Sequence, residues 1–183
     1  MVIKVVDQVT HDDFLEPAWT LYDDAFRDLN AFAVQRHLMY RSEFDEVMRD
    51  QRIQKYLYLD DDGTLLGLST YTNDLSAMPL IAPQYFERRW PELYHQGKIW
   101  YCGFVAVMPG GRAKHAFAGL VEAMYLVAAN QSGIIGLDFC TYNDERRNMS
   151  RVIRLMLHRL SGGVKAECMD QQSYWLYQFP AAA

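Results

Sequence analysis

The chain has 183 residues, half of them hydrophobic and 14% aromatic, with a formal net charge of -5. That length suits one domain around one core, and the apolar content is ample to offset the backbone entropy lost on folding, which excludes wholesale disorder. The acidic balance excludes a general attraction to nucleic acid or to anionic membranes, although a local basic face can still bind a phosphate.

Three cysteines, Cys102, Cys140 and Cys168, cannot all pair within one chain, and no two have the short spacing of a zinc knuckle. His11, His37, His95, His115 and His158 show no metal-type spacing either, so no metal is expected. The opening MVIKVVDQVTHDDF lacks an uninterrupted apolar segment. The expectation is a reduced, cytoplasmic protein with no membrane contact. With no internal repeat or long linker, residues 1–180 read as one domain and residues 181–183 as a loose tail.

Residues 2–6 are short, β-branched and apolar and predict a strand. Thr10, with Asp13 three residues on, then reads as the cap of a helix. Phe14, Ala18, Leu21, Tyr22, Ala25 and Phe26 make its inner stripe, and Pro17 must sit near the first turns or at a kink. Ser42 with Asp45 predicts a second cap, for a helix through Asp50 with Phe44, Val47 and Met48 inward. Residues 55–59 and 65–72 flank Asp60-Asp61-Asp62-Gly63, and an Asp-Gly pair favours a hairpin turn between antiparallel strands.

Residues 73–97 combine Pro79, Pro83 and Pro91 with Tyr85, Phe86, Trp90 and Tyr94, so they form an aromatic, proline-rich insertion with short helical turns. Its aromatic side chains are candidates either to wall a pocket or to build a local satellite core. Residues 99–107 return to strand composition, Pro109-Gly110-Gly111 breaks the run, and a helical pattern continues to about Asn130. Gly133 can end it. Residues 134–142 predict a strand, with Cys140 in it, and Asn143 or Asp144 a cap. Met149, Val152, Ile153, Met156, Leu157 and Leu160 make the buried stripe of the next helix before Gly162-Gly163. Closing strands are expected near 164–168 and 173–179.

This order of elements resembles the GNAT acetyltransferase superfamily over nearly the whole chain. The sharper resemblance is local: Val105 to Phe117, with Val107-Met108-Pro109-Gly110-Gly111-Arg112 at its centre, is similar to the family segment in which an apolar strand and an Arg or Gln lead into glycines and a helix. The resemblance implies an α/β fold with a mixed, mostly antiparallel central sheet of about seven strands covered by about four helices. It also implies that the backbone at Val105 and Val107 contacts pantetheine. The turn of Arg112, Ala113, Lys114, His115 and Phe117 would then bind the donor's phosphates. A helix start suits that task because its unpaired N–H groups and dipole favour an anion. This chain carries His115 and Phe117 where the family has Gly and Gly or Ala.

Asn143 matches the family Asn that contacts pantetheine, and the position seven residues on, where the family keeps a tyrosine that protonates the departing thiolate, is Ser150. Tyr142 is therefore the first candidate for the thiolate acid and Ser150 the second, with aromatic packing the competing role for Tyr142. The implied activity is transfer of an acyl group to a small-molecule amine by direct attack. The donor is acetyl-CoA, another acyl-CoA, or acyl-phosphopantetheine on an acyl carrier protein. Arg146, Arg147, Arg151, Arg154 and Arg159 form a basic segment suited to an acidic carrier or a CoA phosphate, or simply a solvated helix face. The bulk of His115 and Phe117 leaves a catalytically lapsed binding or regulatory protein as the alternative. A homodimer is one assembly that the sequence allows.

Overall fold

The computed structural model describes residues 1–10, 12–79 and 81–179. Among them, five strands form one mixed sheet in the order of the chain. β1 (Val2–Val6), β2 (Gln54–Leu59), β3 (Leu65–Thr72) and β4 (Ile99–Val107) are antiparallel neighbours, and β5 (Ile134–Leu137) lies parallel to β4 at the far edge. The β2–β3 turn forms at Asp60–Gly63: the Gly63 N–H donates to the Asp60 carbonyl at 3.1 Å, and Gly63 takes φ +79°, where a side chain is strained. β3 is buried along its whole length, which is why LLGLSTYT reads as an unbroken run rather than an alternating one.

The helices are α1 (Asp12–Phe26), α2 (Arg41–Arg49), α3 (Pro83–Arg89), α4 (Pro91–His95), α5 (Ala116–Asn130), α6 (Thr141–Arg147) and α7 (Met149–Ser161). Along β2 the period of two divides the core: Leu57 and Leu59 enter a layer with Leu15, Leu21, Tyr22 and Phe44 of α1 and α2. Tyr56 and Tyr58 enter the opposite layer with Leu120 and Met124 of α5. Each fully buried leucine stabilises the fold by about 1.5–3 kcal/mol. A third cluster, Leu75, Phe86, Ile99 and Tyr101, sits under α3, so the aromatic insertion does build a satellite core.

Lys55 is fully buried at the end of β2, and its ammonium donates to the carbonyls of Asp7 at 2.8 Å, Asp50 at 2.5 Å and Ile53 at 2.7 Å. Burial pushes its pKa down to about 8, against the pull of Asp50 and Asp7. Two of these carbonyls, Asp50 and Ile53, belong to the chain leaving α2 and the third, Asp7, to the chain leaving β1, so Lys55 ties those two connections to the start of β2.

Several expectations are corrected. The structure has five strands and seven helices among the described residues, not seven and four. Residues 164–168 and 173–179 form no strand, because neither finds a pairing partner there. The 134–142 run is strand only to Leu137; α6 starts at Thr141, so Tyr142 is helical, Cys140 precedes the helix rather than lying in a strand, and Asn143 and Asp144 are inside it rather than capping it. Ser42 lies within α2, whose start is fixed instead by Glu43 accepting from the Tyr40 N–H at 2.7 Å. No residue of α7 is buried, so its apolar stripe is periodic but only half covered. The side chain of Asp13, His11 and the tail at 181–183 lie outside the described residues.

Candidate functional site

β4 and β5 run side by side only from the Ile99–Ile134 pair to the Cys102–Leu137 pair. β4 then continues to Val107, while the chain after Leu137 turns away into α6. The two strands part, and beyond Cys102 this edge of β4 has no strand beside it among the described residues. Cys102 itself is buried, and burial pushes its thiol up to about 12, so it is held as an inert thiol.

At the parting β4 carries an extra residue. Tyr71 pairs with Cys102 and Thr70 with Phe104, which leaves Gly103 as a bulge. A side chain would be crowded there: its Cβ would fall 2.7 Å from both Thr70 Oγ1 and Met78 Cε, so those side chains would have to shift. The bulge resets the alternation, so Phe104 and Ala106 join the α1 layer while Val105 and Val107 pack against the α5 layer. The two valines thus sit on the open part of β4, facing the helix whose start follows.

Gly110, at φ +108°, leads into a tight turn at Gly111–Ala113, and α5 begins at Ala116 with no side-chain cap. Among the described residues nothing accepts from the N–H groups of His115, Ala116, Phe117 and Ala118, as the first turn of a helix dictates. Ala113 is buried, Arg112, Lys114 and His115 are exposed, and Phe117 is half-buried. Arg112 is not free: its guanidinium pairs with Asp60, whose carboxylate also accepts from the N–H groups of Thr64 at 2.8 Å and Asp62 at 3.0 Å. The Thr64 amide first, and Arg112 beside it, hold that carboxyl below the usual carboxylate range.

On the other side of the opening, Tyr142 and Asn143 occupy the first turn of α6. The Tyr142 ring lies parallel to Phe32, with centroids 4.6 Å apart, and the Arg147 guanidinium is 5.8 Å from its centroid. Asn143 Oδ1 is buried and has no hydrogen-bond partner. Such an orphan is costly unless a ligand or water completes it. Ser150 is exposed on α7, past the left-handed Asn148, and its N–H caps onto Asp144 Oδ1 at 3.2 Å. Tyr142 and Asn143 therefore share a turn, and Ser150 does not share it. Arg146, Arg147, Arg151, Arg154 and Arg159 are all exposed.

A second set of residues was not visible from the sequence. The Tyr101 hydroxyl donates to Asp138 Oδ1 at 2.8 Å, just where β5 ends. Burial, then Asp138, pushes that phenol above its ordinary range. His37, on the connection between α1 and α2, is held by its carbonyl accepting from Tyr22 Oη–H at 3.1 Å and its N–H donating to Asn30 Oδ1 at 3.2 Å. Its Nε2 is buried with no partner, and burial lowers its pKa against the opposing pull of Asp138. Thr70 Oγ1, beside the bulge, is a further buried orphan. Only the apolar run ending in Leu137-Asp138 hinted at this group. An open groove of about 500 Å³ between Phe14, Pro17 and Leu21 of α1 and Leu65, Met108 and Pro109 approaches the end of β4 from the opposite layer.

No protein-family model matches the chain, and no curated protein matches it in sequence. Solved structures do match. A mutant of the BH1408 protein from Bacillus halodurans superimposes with a TM-score of 0.57 at 11% identity, covering 97% of this chain and 100% of its own. A ribosomal-protein-alanine N-acetyltransferase from Brucella melitensis biovar Abortus gives 0.52 at 14% identity, over 96% and 99% of the two chains. A GNAT-family acetyltransferase from Listeria monocytogenes gives 0.53 at 13% identity, over 82% and 84%. This chain has the GNAT fold. At such identities the likeness is one of architecture. Within the GNAT fold of this chain, the parted strands, the bare start of α5 and the first turn of α6 are the features that a donor site would use. Among the described residues no cluster of side chains suits a metal ion.

Proposed function

We propose that the chain is a GNAT-type N-acyltransferase that moves an acyl group from a CoA thioester, or from pantetheine on an acyl carrier protein, to an amine. The parting of β4 from β5 beside an uncapped helix start is the observation that carries this reading. An extended, amide-bearing arm fits an edge strand that has lost its neighbour, with the backbone at Val105 and Val107 as its partner. The donor's phosphates meet the amides of residues 115–118, with the exposed Lys114 supplying charge and Arg112 adding its own on exchanging Asp60 for a phosphate. Asn143 Oδ1, buried and unpaired, accepts an amide N–H of the arm.

The acceptor's amine nitrogen attacks the thioester carbonyl, so that a C–N bond forms as the C–S bond breaks and the sulfur leaves as a thiolate. Tyr142 returns a proton to that thiolate, with Ser150 as the second candidate. The attacking amine must lose a proton, and His37 Nε2 takes it. Burial keeps this imidazole neutral and hence basic at neutral pH, and Asp138 stabilises the imidazolium that forms. The acceptor is a small-molecule amine, and the exposed arginines of α6 and α7 offer a carrier protein its acidic contact.

A second reading, donor binding without catalysis, is favoured by Arg112 being already engaged by Asp60 and by Tyr142 being stacked on Phe32. Calorimetric titration with acetyl-CoA, longer acyl-CoAs and acylated carrier protein tests both. Binding followed by acyl transfer to a panel of amines supports the transferase, binding with no transfer supports the second reading, and no binding to any donor removes both.

A further inference from the structure

Where the strands part, β4 has a gap in its row of side chains. On the face turned away from α5, Tyr101 joins the satellite core and Phe104 the α1 layer, and between them stands Gly103, the extra residue of the bulge, with nothing to offer. Two neighbours close the gap instead. The place of a Cβ on Gly103 lies 2.7 Å from Thr70 Oγ1 of β3 and 2.7 Å from Cε of Met78, a half-buried residue on the connection between β3 and α3.

The two neighbours differ in kind. Thr70 is 1% exposed, and its hydroxyl has no hydrogen-bond partner among the described residues. A hydroxyl can both donate and accept, and one left dry and unpaired carries a cost that only a polar partner removes. Met78 covers it with the end of an unbranched thioether chain, which changes rotamer readily and adapts to what is beside it. The site is therefore a fixed polar group beneath a yielding cover.

The donor path leads to this point. With its phosphates at the start of α5 and its arm along Val105 and Val107, a pantetheine thioester arrives at the parting of β4 from β5, beside Gly103. On the β5 side stand Asp138, at the end of that strand, and His37, which feels its charge and receives the amine. On the β3 side the gap at Gly103 leads across β4, between Tyr101 and Phe104, to Thr70. Resting on the donor reading proposed above, we infer that Thr70 and Met78 select the acyl group: Met78 swings off the gap, the acyl tail crosses at Gly103, and Thr70 Oγ1 pairs with a hydroxyl on the β-carbon of the tail. That carbon is the next but one after the thioester carbonyl, so its hydroxyl falls near the place that a side chain on Gly103 would take. A plain acyl tail leaves Thr70 as unpaired as it is in the free protein, and a β-hydroxyacyl tail completes it, which is the kind of difference by which a site built around a hydroxyl discriminates.

The test is calorimetric titration of the full chain with butyryl-CoA and with β-hydroxybutyryl-CoA, which differ by a single oxygen. The wild type should bind the hydroxylated donor about tenfold more tightly. Thr70→Ser should keep a preference, whereas Thr70→Val, similar in shape but without the hydroxyl, should bring the ratio of the two affinities to one or below. Met78→Ala should raise the affinity for β-hydroxyhexanoyl-CoA relative to β-hydroxybutyryl-CoA by about fivefold, since further methylenes then find room. Each ratio is read between two donors on the same protein, so a general loss of stability in a variant does not move it. Equal binding of the two donors by the wild type, a preference that survives in Thr70→Val or is lost in Thr70→Ser, or an unchanged chain-length ratio in Met78→Ala would overturn the inference with the donor site still standing. No binding of either donor would remove the donor site itself, and the inference with it.

Discussion

The two sides of the sheet are built to different standards. Around β3, Leu57, Leu66 and Leu68 are at most 1% exposed, and every side chain of β3 is enclosed between α1 and α5. Beyond β5, no residue of α6 or α7 is buried, and Leu155 is 44% exposed. The candidate site lies on the seam between these regions: β4 and the start of α5 belong to the finished side, and Asn143 and Tyr142 to the loosely held one. A site on such a seam combines a rigid wall with one that can move at little cost, since local opening is drawn from the least packed elements.

The sharpest way to break the comparison is by truncation on either side. Leu68→Ala is expected to lose about 3–4 kcal/mol in urea unfolding. Leu155→Ala, on the half-covered helix, should lose no more than about 0.5 kcal/mol. Equal losses would show the far side to be as tightly held as the near one.

Lys55→Met should cost about 3 kcal/mol, because the carbonyls of Asp7, Asp50 and Ile53 lose their donor inside the finished side. It also has a pH signature. The folded lysine gives up its proton near pH 8 and the unfolded one near 10.5, so across that window the unfolded chain binds more protons and this residue's contribution makes stability rise with pH. The difference in stability between wild type and variant should therefore grow from pH 8 to 10.5, in denaturant titrations at each pH.

On the seam, His37→Gln is expected to slow acyl transfer about 100-fold while leaving donor affinity unchanged. The wild-type rate should fall only below the ordinary histidine value of 6.5, as the lowered pKa demands, and the variant should lack that acidic limb. The same group contributes stability that is lost as pH falls from about 6.5 through its lowered folded pKa, because the unfolded histidine takes up the proton first. A smaller loss than at Leu68 or Lys55 is expected for Gly103→Ala. Its Cβ would press on Thr70 Oγ1 and the flexible end of Met78, for a loss of about 1–2 kcal/mol by thermal melting.

Much of the finished side was legible in the sequence. The strands at 2–6, 65–72 and 99–107, the Asp-Gly turn and the helix reaching Asn130 all stand where local pattern put them, because each signal is carried by adjacent residues. The loose side was not legible in the same way. The 173–179 segment has strand composition, but a strand exists only when another offers its backbone, and no local pattern reports that. The stripe of α7 had helical periodicity, yet what covers a stripe is a tertiary fact. Around the candidate site, the break between β4 and the helix after Arg112 was readable from one segment, whereas Asn143, expected as a helix cap, lies inside α6. His37, Tyr101 and Asp138 were not readable, since they come from three separate parts of the chain and are joined only by folding.

Phe32 stands on the α1–α2 connection beside His37's segment, and its stacking partner Tyr142 opens α6. Whatever rotates one ring alters the surface offered to the other. If the amine is received on the first side and the thioester on the second, the two affinities become thermodynamically linked, and linkage is reciprocal: a donor that reorients Tyr142 changes the amine's affinity by the same factor as the amine changes the donor's. Pre-loading with a non-transferable donor analogue would read that shared factor directly.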